Sequence, residues 1–207
     1  HSGGIGFEGK IPWNILEDMR LFRYITSYVP RSGLANCVIM GRKTFESLGS
    51  RPLKNRVNIV LSRTPPASSG ADSTSPLWCT SLDKALALAH TLPIHATYVI
   101  GGEQLYKEAL DREDWDLLYH TNIREVHICD RFVKMDPYLI KYHTISLSKM
   151  TPTVCMGVYA RAKGVALDQY PEISGNSGET RYLAQVAQLA HKADSDGARE
   201  DRTQVGT

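Results

Sequence analysis

Four short stretches of this chain carry side chains that could do chemistry. The first centres on Asp18. Ile15, Phe22, Ile25 and Val29 recur at helical spacing, and Asp18 falls on the same apolar stripe. A carboxylate facing a core costs on the order of several kcal/mol unless it is paired. Two readings stay open. In one, the helix is rotated and Asp18 reaches water or caps locally. In the other, the acid lines an apolar cleft and accepts two hydrogen bonds from the amidine-like edge of a heterocycle, its acidity poised by burial.

The second stretch is Met40-Gly41-Arg42-Lys43-Thr44, where a buried strand gives way to a helix. Cations at a helix start oppose the dipole, so an anion bound among the backbone N–H groups explains them better than solvation does. The third, Ile100-Gly101-Gly102-Glu103-Gln104-Leu105-Tyr106, repeats the order of strand, glycines and helix. Paired glycines admit a close backbone approach to a ligand, although a plain tight turn would look the same. The fourth is Arg51-Pro52-Leu53-Lys54-Asn55-Arg56. Arg56 stands at a strand entrance as a guanidinium able to fork a carboxylate; the bland alternative is an ordinary surface arginine. Gly4-Ile5-Gly6-Phe7-Glu8-Gly9 fits a dinucleotide fingerprint by letter alone. No strand precedes it in the chain and Pro12 blocks a following helix, so it reads as a mobile loop.

The elements that must hold these groups follow from pattern. A capping box, Asn14 with Glu17, opens a helix that runs to about Tyr28, before Pro30. Strands are expected over Cys37–Met40, Val57–Leu61, Tyr98–Ile100, Leu117–Ile123 and Val126–Cys129, with a closing hairpin at 142–149 and 154–162. Helices are expected from Thr44, over Leu82–Leu92 behind Ser81 as cap, and over Glu103–Leu110. Residues 64–75 read as a surface loop. The alternation argues for an α/β domain with a mixed, mostly parallel central sheet flanked by helices. Composition changes near Gly164, so 165–178 read as a linker and Thr180 to about Lys192 as a helix carrying Tyr182, Val186 and Leu189 on one face.

Bulk properties narrow the function classes. A formal net charge of +2 offers no field for nucleic acid or an anionic membrane. Apolar runs are strand-sized, far short of the roughly 20 residues that span a bilayer, and no leader pattern is visible at the start. Cys37, Cys79, Cys129 and Cys155 are scattered and form no metal spacing, so free thiols in a reducing, cytoplasmic setting are expected. The chain opens on His1 and stops inside a motif, which reads as a fragment at both ends.

Taken in order, Ile11-Pro12-Trp13-Asn14, the acid five residues after the Trp, Met40 to Thr44, Arg51 to Arg56 leading into Asn58-Ile59-Val60-Leu61-Ser62, and Val99 to Gly102 resemble dihydrofolate reductase. The similarity runs from about Gly4 to Asp130 and more loosely to Gly164, the span taken as the reductase domain (1–164). The resemblance implies dihydrofolate as substrate, NADPH as cofactor and antifolates as inhibitors. It makes Asp18 the pterin-binding carboxylate, with Trp13 and Thr121 beside it in the catalytic group. Phe22, Leu48 and Ile100 become walls of the substrate site, and Arg56 the fork for the glutamate α-carboxylate. Gly6, Arg42, Lys43, Thr44, Ser62, Arg63, Gly101, Gly102, Gln104, Leu105 and Tyr106 fall to the cofactor, with a cis Gly101–Gly102 turn beside it. Gly6 to Trp13 resembles a loop that closes over the site.

Arg181-Tyr182-Leu183 through Asp201-Arg202-Thr203 is similar to the beginning of thymidylate synthase, in which Arg202 matches the arginine that holds the nucleotide phosphate. Residues 179–207 are therefore expected to open a synthase domain, through which the fused protein would form a homodimer. The family's first, central strand is absent ahead of the Gly loop. Asp130-Arg131-Phe132-Val133-Lys134 replaces Asp-x-Phe-Phe-Pro, Phe45 a Trp, and Gln204 a Gly. Three rival readings remain: a reductase of the same fold acting on a pyrimidine riboside, a non-catalytic NADPH-binding or scaffold domain, and, for the last segment alone, a dimerisation helix.

Overall fold

The computed structural model describes residues 3–66, 75–112, 114–161 and 188–192. Its elements, in chain order, are β1 (Gly4–Gly6), α1 (Leu16–Ser27), β2 (Ala35–Gly41), α2 (Arg42–Ser47), β3 (Arg56–Leu61), β4 (Leu77–Cys79), α3 (Leu82–His90), β5 (Ile94–Val99), α4 (Glu103–Arg112), β6 (Leu117–Ile123), β7 (Arg131–Phe132), α5 (Asp136–Lys141), β8 (His143–Lys149), β9 (Val154–Ala160) and β10 (Gln188–Lys192).

β2 alternates two buried faces, and that alternation builds two cores. Cys37 and Ile39 join Ile59, Leu82, Leu86, Leu105 and Leu110 under α3 and α4. Val38 and Met40 join Val60, Tyr98, Ile25 and Phe45 under α1 and α2. Side chains that point both ways from a strand and are buried on both sides make a sheet covered by helices on each face. Burying one such Leu or Ile contributes about 1.5–3 kcal/mol.

The large sheet runs β4-β3-β2-β5-β10-β6-β9-β8. β2, β3, β4 and β5 are parallel, β6 pairs antiparallel with β9, and β9 with β8. β10 lies antiparallel to both β5 and β6, with Leu189 level with Val99 on one side and Leu118 on the other. β5 and β6 therefore run the same way, and their C-terminal ends open toward one side.

β10 corrects the expected helix over Thr180–Lys192 at residues 188–192; the remainder of that helix lies outside the described residues, as do the 165–178 linker and Arg202. The physical reason is the bare backbone that β5 and β6 would present to each other. Buried N–H and C=O groups require partners, and that demand outweighs a three-residue helical stripe. The segment Gln188-Leu-Ala-His-Lys is not the continuous apolar run usual in a central strand.

Other expectations differ in detail. Asn14 does not cap α1: Ile15 holds the N-cap position, with no side-chain hydrogen bond there. Ser81 does cap α3, accepting from the Lys84 N–H at 3.3 Å. Val126–Cys129 is not a strand; Val126 is 99% exposed, and the segment has no sheet neighbour for its backbone. Its apolar alternation mimicked a half-buried strand. β4, β7 and α5 are too short to show a period. β1 and β7 form a small separate ladder that pins the Gly loop to the 130–132 segment.

Candidate functional site

The site is built where β2, β5 and β6 end. β2 stops at Gly41, whose N–H donates to the Gly101 carbonyl at 2.7 Å. β5 stops just before Ile100, and the Gly101–Gly102 peptide is cis, as the resemblance implied. A Cβ on Gly101 would meet the Tyr106 ring at 2.9 Å, and one on Gly102 would meet Thr44 Oγ1 at 3.2 Å. The twin glycines thus bring the start of α2 and the start of α4 together. Ile100, Leu105 and Tyr106 are buried, and the Tyr106 hydroxyl has no hydrogen-bond partner among the described residues. Burial pushes that hydroxyl well above the usual tyrosine range. Gln104 is exposed on the outer side of α4.

Asp18 sits on the buried face of α1, only 5% exposed, and accepts a long hydrogen bond from Thr121 Oγ1 at 3.4 Å. The open question about helix rotation is settled: Asp18 faces inward. Leu118 is level with Val99 across β10, so Thr121 lies three residues further along, as Gly102 does beyond Val99. Two strand spacings separate β5 from β6, about 10 Å. A flat fused heterocycle could bridge the acid and the glycines.

Arg56 enters from the other end of α1. Its Nη1 donates to Thr26 Oγ1 at 2.6 Å, its Nε donates to the Lys54 carbonyl at 3.1 Å, and its guanidinium lies 5.9 Å from the Phe22 ring centroid. Burial, and secondarily the charge of Arg23, pushes its pKa down to about 10. Asn58 fixes the preceding loop, accepting from the Leu53 N–H at 2.8 Å and donating to the carbonyls of Leu53 and Arg56 at 2.9 and 2.8 Å. Asn36 ties the end of α1 to β2 by donating to the Thr26 and Tyr28 carbonyls. Thr26 and Asn36 carried no motif, and Asn58 stood in one without a role of its own; an Asn inside an otherwise apolar strand was the signal available. Leu48 follows α2 and is 39% exposed.

The anion-binding expectation is refined. Arg42 is engaged by Glu46 at 2.5 Å, one helical turn on, while Lys43 is exposed. Ser62 and Arg63 follow β3, whose Leu61 is level with Gly41. Ser62 Oγ donates to the Thr64 carbonyl at 3.1 Å. Hydroxyls and cations from two neighbouring strand ends therefore share one rim.

The Gly loop meets the 124–132 segment repeatedly. The Glu8 N–H donates to Asp130 Oδ2 at 3.2 Å. A Cβ on Gly4 would meet Cys129 Sγ at 2.5 Å. Gly6 is buried, its carbonyl accepting from the Asp130 N–H at 2.9 Å. Trp13, within the loop, meets the His127 ring, a residue that no sequence motif singled out.

Fold and site together define an α/β domain that binds small molecules across the C-terminal ends of its parallel strands. A family model described as dihydrofolate reductase matches residues 1–151, and the chain belongs to that family. A dihydrofolate reductase of Aedes albopictus is 36% identical, over 63% of this chain and 73% of that protein. A bifunctional dihydrofolate reductase-thymidylate synthase of Arabidopsis thaliana is 34% identical, over 84% of this chain and 35% of that protein. One of the same description from Paramecium tetraurelia is 30% identical, over 100% of this chain and 41% of that protein. The chain thus spans well under half the length of the bifunctional relatives it matches. No helix among the described residues is long and apolar enough to cross a membrane.

Proposed function

We propose that this chain reduces 7,8-dihydrofolate to tetrahydrofolate with NADPH, and that Asp18 is the carboxylate that binds the pterin. The observation that carries this reading is the buried Asp18 carboxylate, bonded to Thr121 and two strands away from the Gly101–Gly102 turn. A buried acid at that point accepts paired hydrogen bonds from a ring N–H and an amino group, and holds one ring orientation. Phe22 and Ile100 supply apolar walls. Arg56 keeps three of its five N–H donors after the Thr26 and Lys54 bonds, enough to fork a carboxylate.

The residues fit the cofactor. The twin glycines strip the backbone of side chains where Tyr106 and Thr44 stand closest. Thr44, Ser62, Lys43 and Arg63 line the rim where phosphates would lie, and the buried Tyr106 hydroxyl is free of any protein partner described. When bound there, NADPH would supply the hydride that reduces the pterin. Asp18 orients and polarises the pterin. A water held by the Trp13 indole N–H delivers the proton to N5. Closure of the Gly6–Trp13 loop excludes bulk water and strengthens the field of Asp18.

The Paramecium match over the whole chain supports reading 1–164 as the reductase, 165–178 as a linker and 179–207 as the start of a synthase domain, with Arg202 as its phosphate ligand. In that reading the complete protein also methylates dUMP and dimerises through the synthase, in the cytoplasm.

Asp18→Asn tests the central claim. It keeps the shape and removes the charge, so turnover should fall on the order of 100-fold while NADPH affinity stays put. Near-normal turnover would rule the assignment out. NADPH binding with no oxidation by dihydrofolate in the unmodified chain would instead favour a non-catalytic domain.

A further inference from the structure

Trp13 carries a buried indole N–H with no hydrogen-bond partner among the described residues. A buried donor left unmade costs about 1–3 kcal/mol. Such a group is useful only if its ring is held in one orientation toward a ligand or water. Its own loop supplies little for that. Residues 8–11 are exposed, and the only internal bonds around them are the reciprocal Phe7–Lys10 backbone pair, both at 2.9 Å.

The ring is met instead by His127. The two centroids are 5.3 Å apart with planes at 67°, an edge-to-face contact. His127 Nε2 lies 3.5 Å from Glu125 Oε2. At that separation the two groups are in contact without a well-formed hydrogen bond, consistent with Nε2 having none among the described residues. The other carboxylate oxygen, Glu125 Oε1, accepts from Thr153 Oγ1 at 2.7 Å. The Arg124 N–H donates to the Thr153 carbonyl, also at 2.7 Å. A line of contacts therefore runs from the β8–β9 turn, through Thr153, Glu125 and His127, to Trp13. The neighbours Val126 and Ile128 are 99% and 75% exposed. Two large apolar side chains stand in solvent while the polar His127 between them is turned inward, which inverts the usual preference.

We propose that His127 is a positioning residue that fixes the Trp13 indole, with Glu125 and Thr153 as its brace. It rests on the reading in which the Trp13 N–H holds the proton-delivering water. His127 touches neither substrate nor cofactor; it acts through Trp13.

The test uses the full chain carrying His127→Ala, His127→Phe and Glu125→Gln, each alone and combined with Trp13→Phe. The Trp13 indole N–H proton resonance is assigned by its loss in Trp13→Phe. It should shift and broaden in His127→Ala, and recover in His127→Phe, which keeps an aromatic edge on the indole. Glu125→Gln keeps the bond from Thr153, drops the charge, and should move the resonance part of the way. Turnover should fall roughly two- to tenfold in His127→Ala, the range set by the strength of an aromatic pair. KM for NADPH should not move, His127→Phe should restore most of the loss, and the loss should vanish in the Trp13→Phe background. An unmoved indole resonance overturns the proposal. So does a loss of turnover that is equal with and without Trp13. The resonance arm needs no turnover, so an inactive unmodified chain would count against the folate reading and leave His127 to be decided by the spectrum. If His127→Ala fails to fold, His127→Gln, of similar reach and without a ring, takes its place under the same outcomes.

Discussion

Arg56→Ala removes a guanidinium that the fold holds ready without using it up. Two of its five N–H donors are spent on Thr26 and Lys54, and its Cζ lies over the Phe22 ring, 5.9 Å from the centroid. The remaining three can make a forked pair to the α-carboxylate of the substrate tail. Losing a charge-assisted fork in a half-buried setting costs about 2–3 kcal/mol, which is roughly a 30- to 150-fold rise in KM. Because the tail is remote from the reacting atoms, ground state and transition state lose equally and kcat should hold. Arg56→Lys keeps the charge but not the fork, and should fall between. The assay is NADPH oxidation measured with dihydrofolate and with a dihydropterin that lacks the glutamate tail. The tail-less substrate should not distinguish the variants. Equal losses on both substrates, or a collapse of kcat with KM unchanged, would refute the reasoning.

Tyr106→Phe removes a buried hydroxyl that has no hydrogen-bond partner among the described residues, so melting of the free protein should hold or rise slightly while NADPH affinity falls; unchanged affinity in a titration would mean the hydroxyl serves no ligand. Cys37 is fully buried, and burial pushes its thiol up to about 12. In the native protein, alkylation followed by mass spectrometry should reach Cys129 and Cys155 first, and labelling of Cys37 at their rate would contradict the packing of β2. Ala190→Pro places a residue without an N–H in a strand bonded on both sides, and should cost about 3 kcal/mol or more, read as a lower melting temperature; an unaltered melt would contradict the pairing of β10 with β5 and β6.

The long periodic elements were legible without coordinates. β2, β3, β6 and α3 fall close to their expected spans because buried strands and amphipathic helices print their own periods. The Gly101–Gly102 turn was legible through the resemblance, since paired glycines alone would also fit a plain tight turn. Asp18 was legible as an anomaly on an apolar stripe, but not as an answer. Spacing along α1 could not say whether the stripe turned inward; the packing of Ile25 against the sheet and the contact with Thr121, over a hundred residues away, decided it.

Where sequence reasoning failed, non-local pairing was the cause. Val126–Cys129 alternates like a strand, but no neighbour offers a backbone edge, so it stays irregular. Residues 188–192 pattern like a helix, but lie as a strand because two buried edges needed filling. His127 meets Trp13 from over a hundred residues away, and such a contact leaves no mark on a linear spacing. The chain alone thus determined which segments could be buried and which groups could react. Only the tertiary structure decided which of those groups meet, because hydrogen-bond pairing and close packing are satisfied across space and not along the chain.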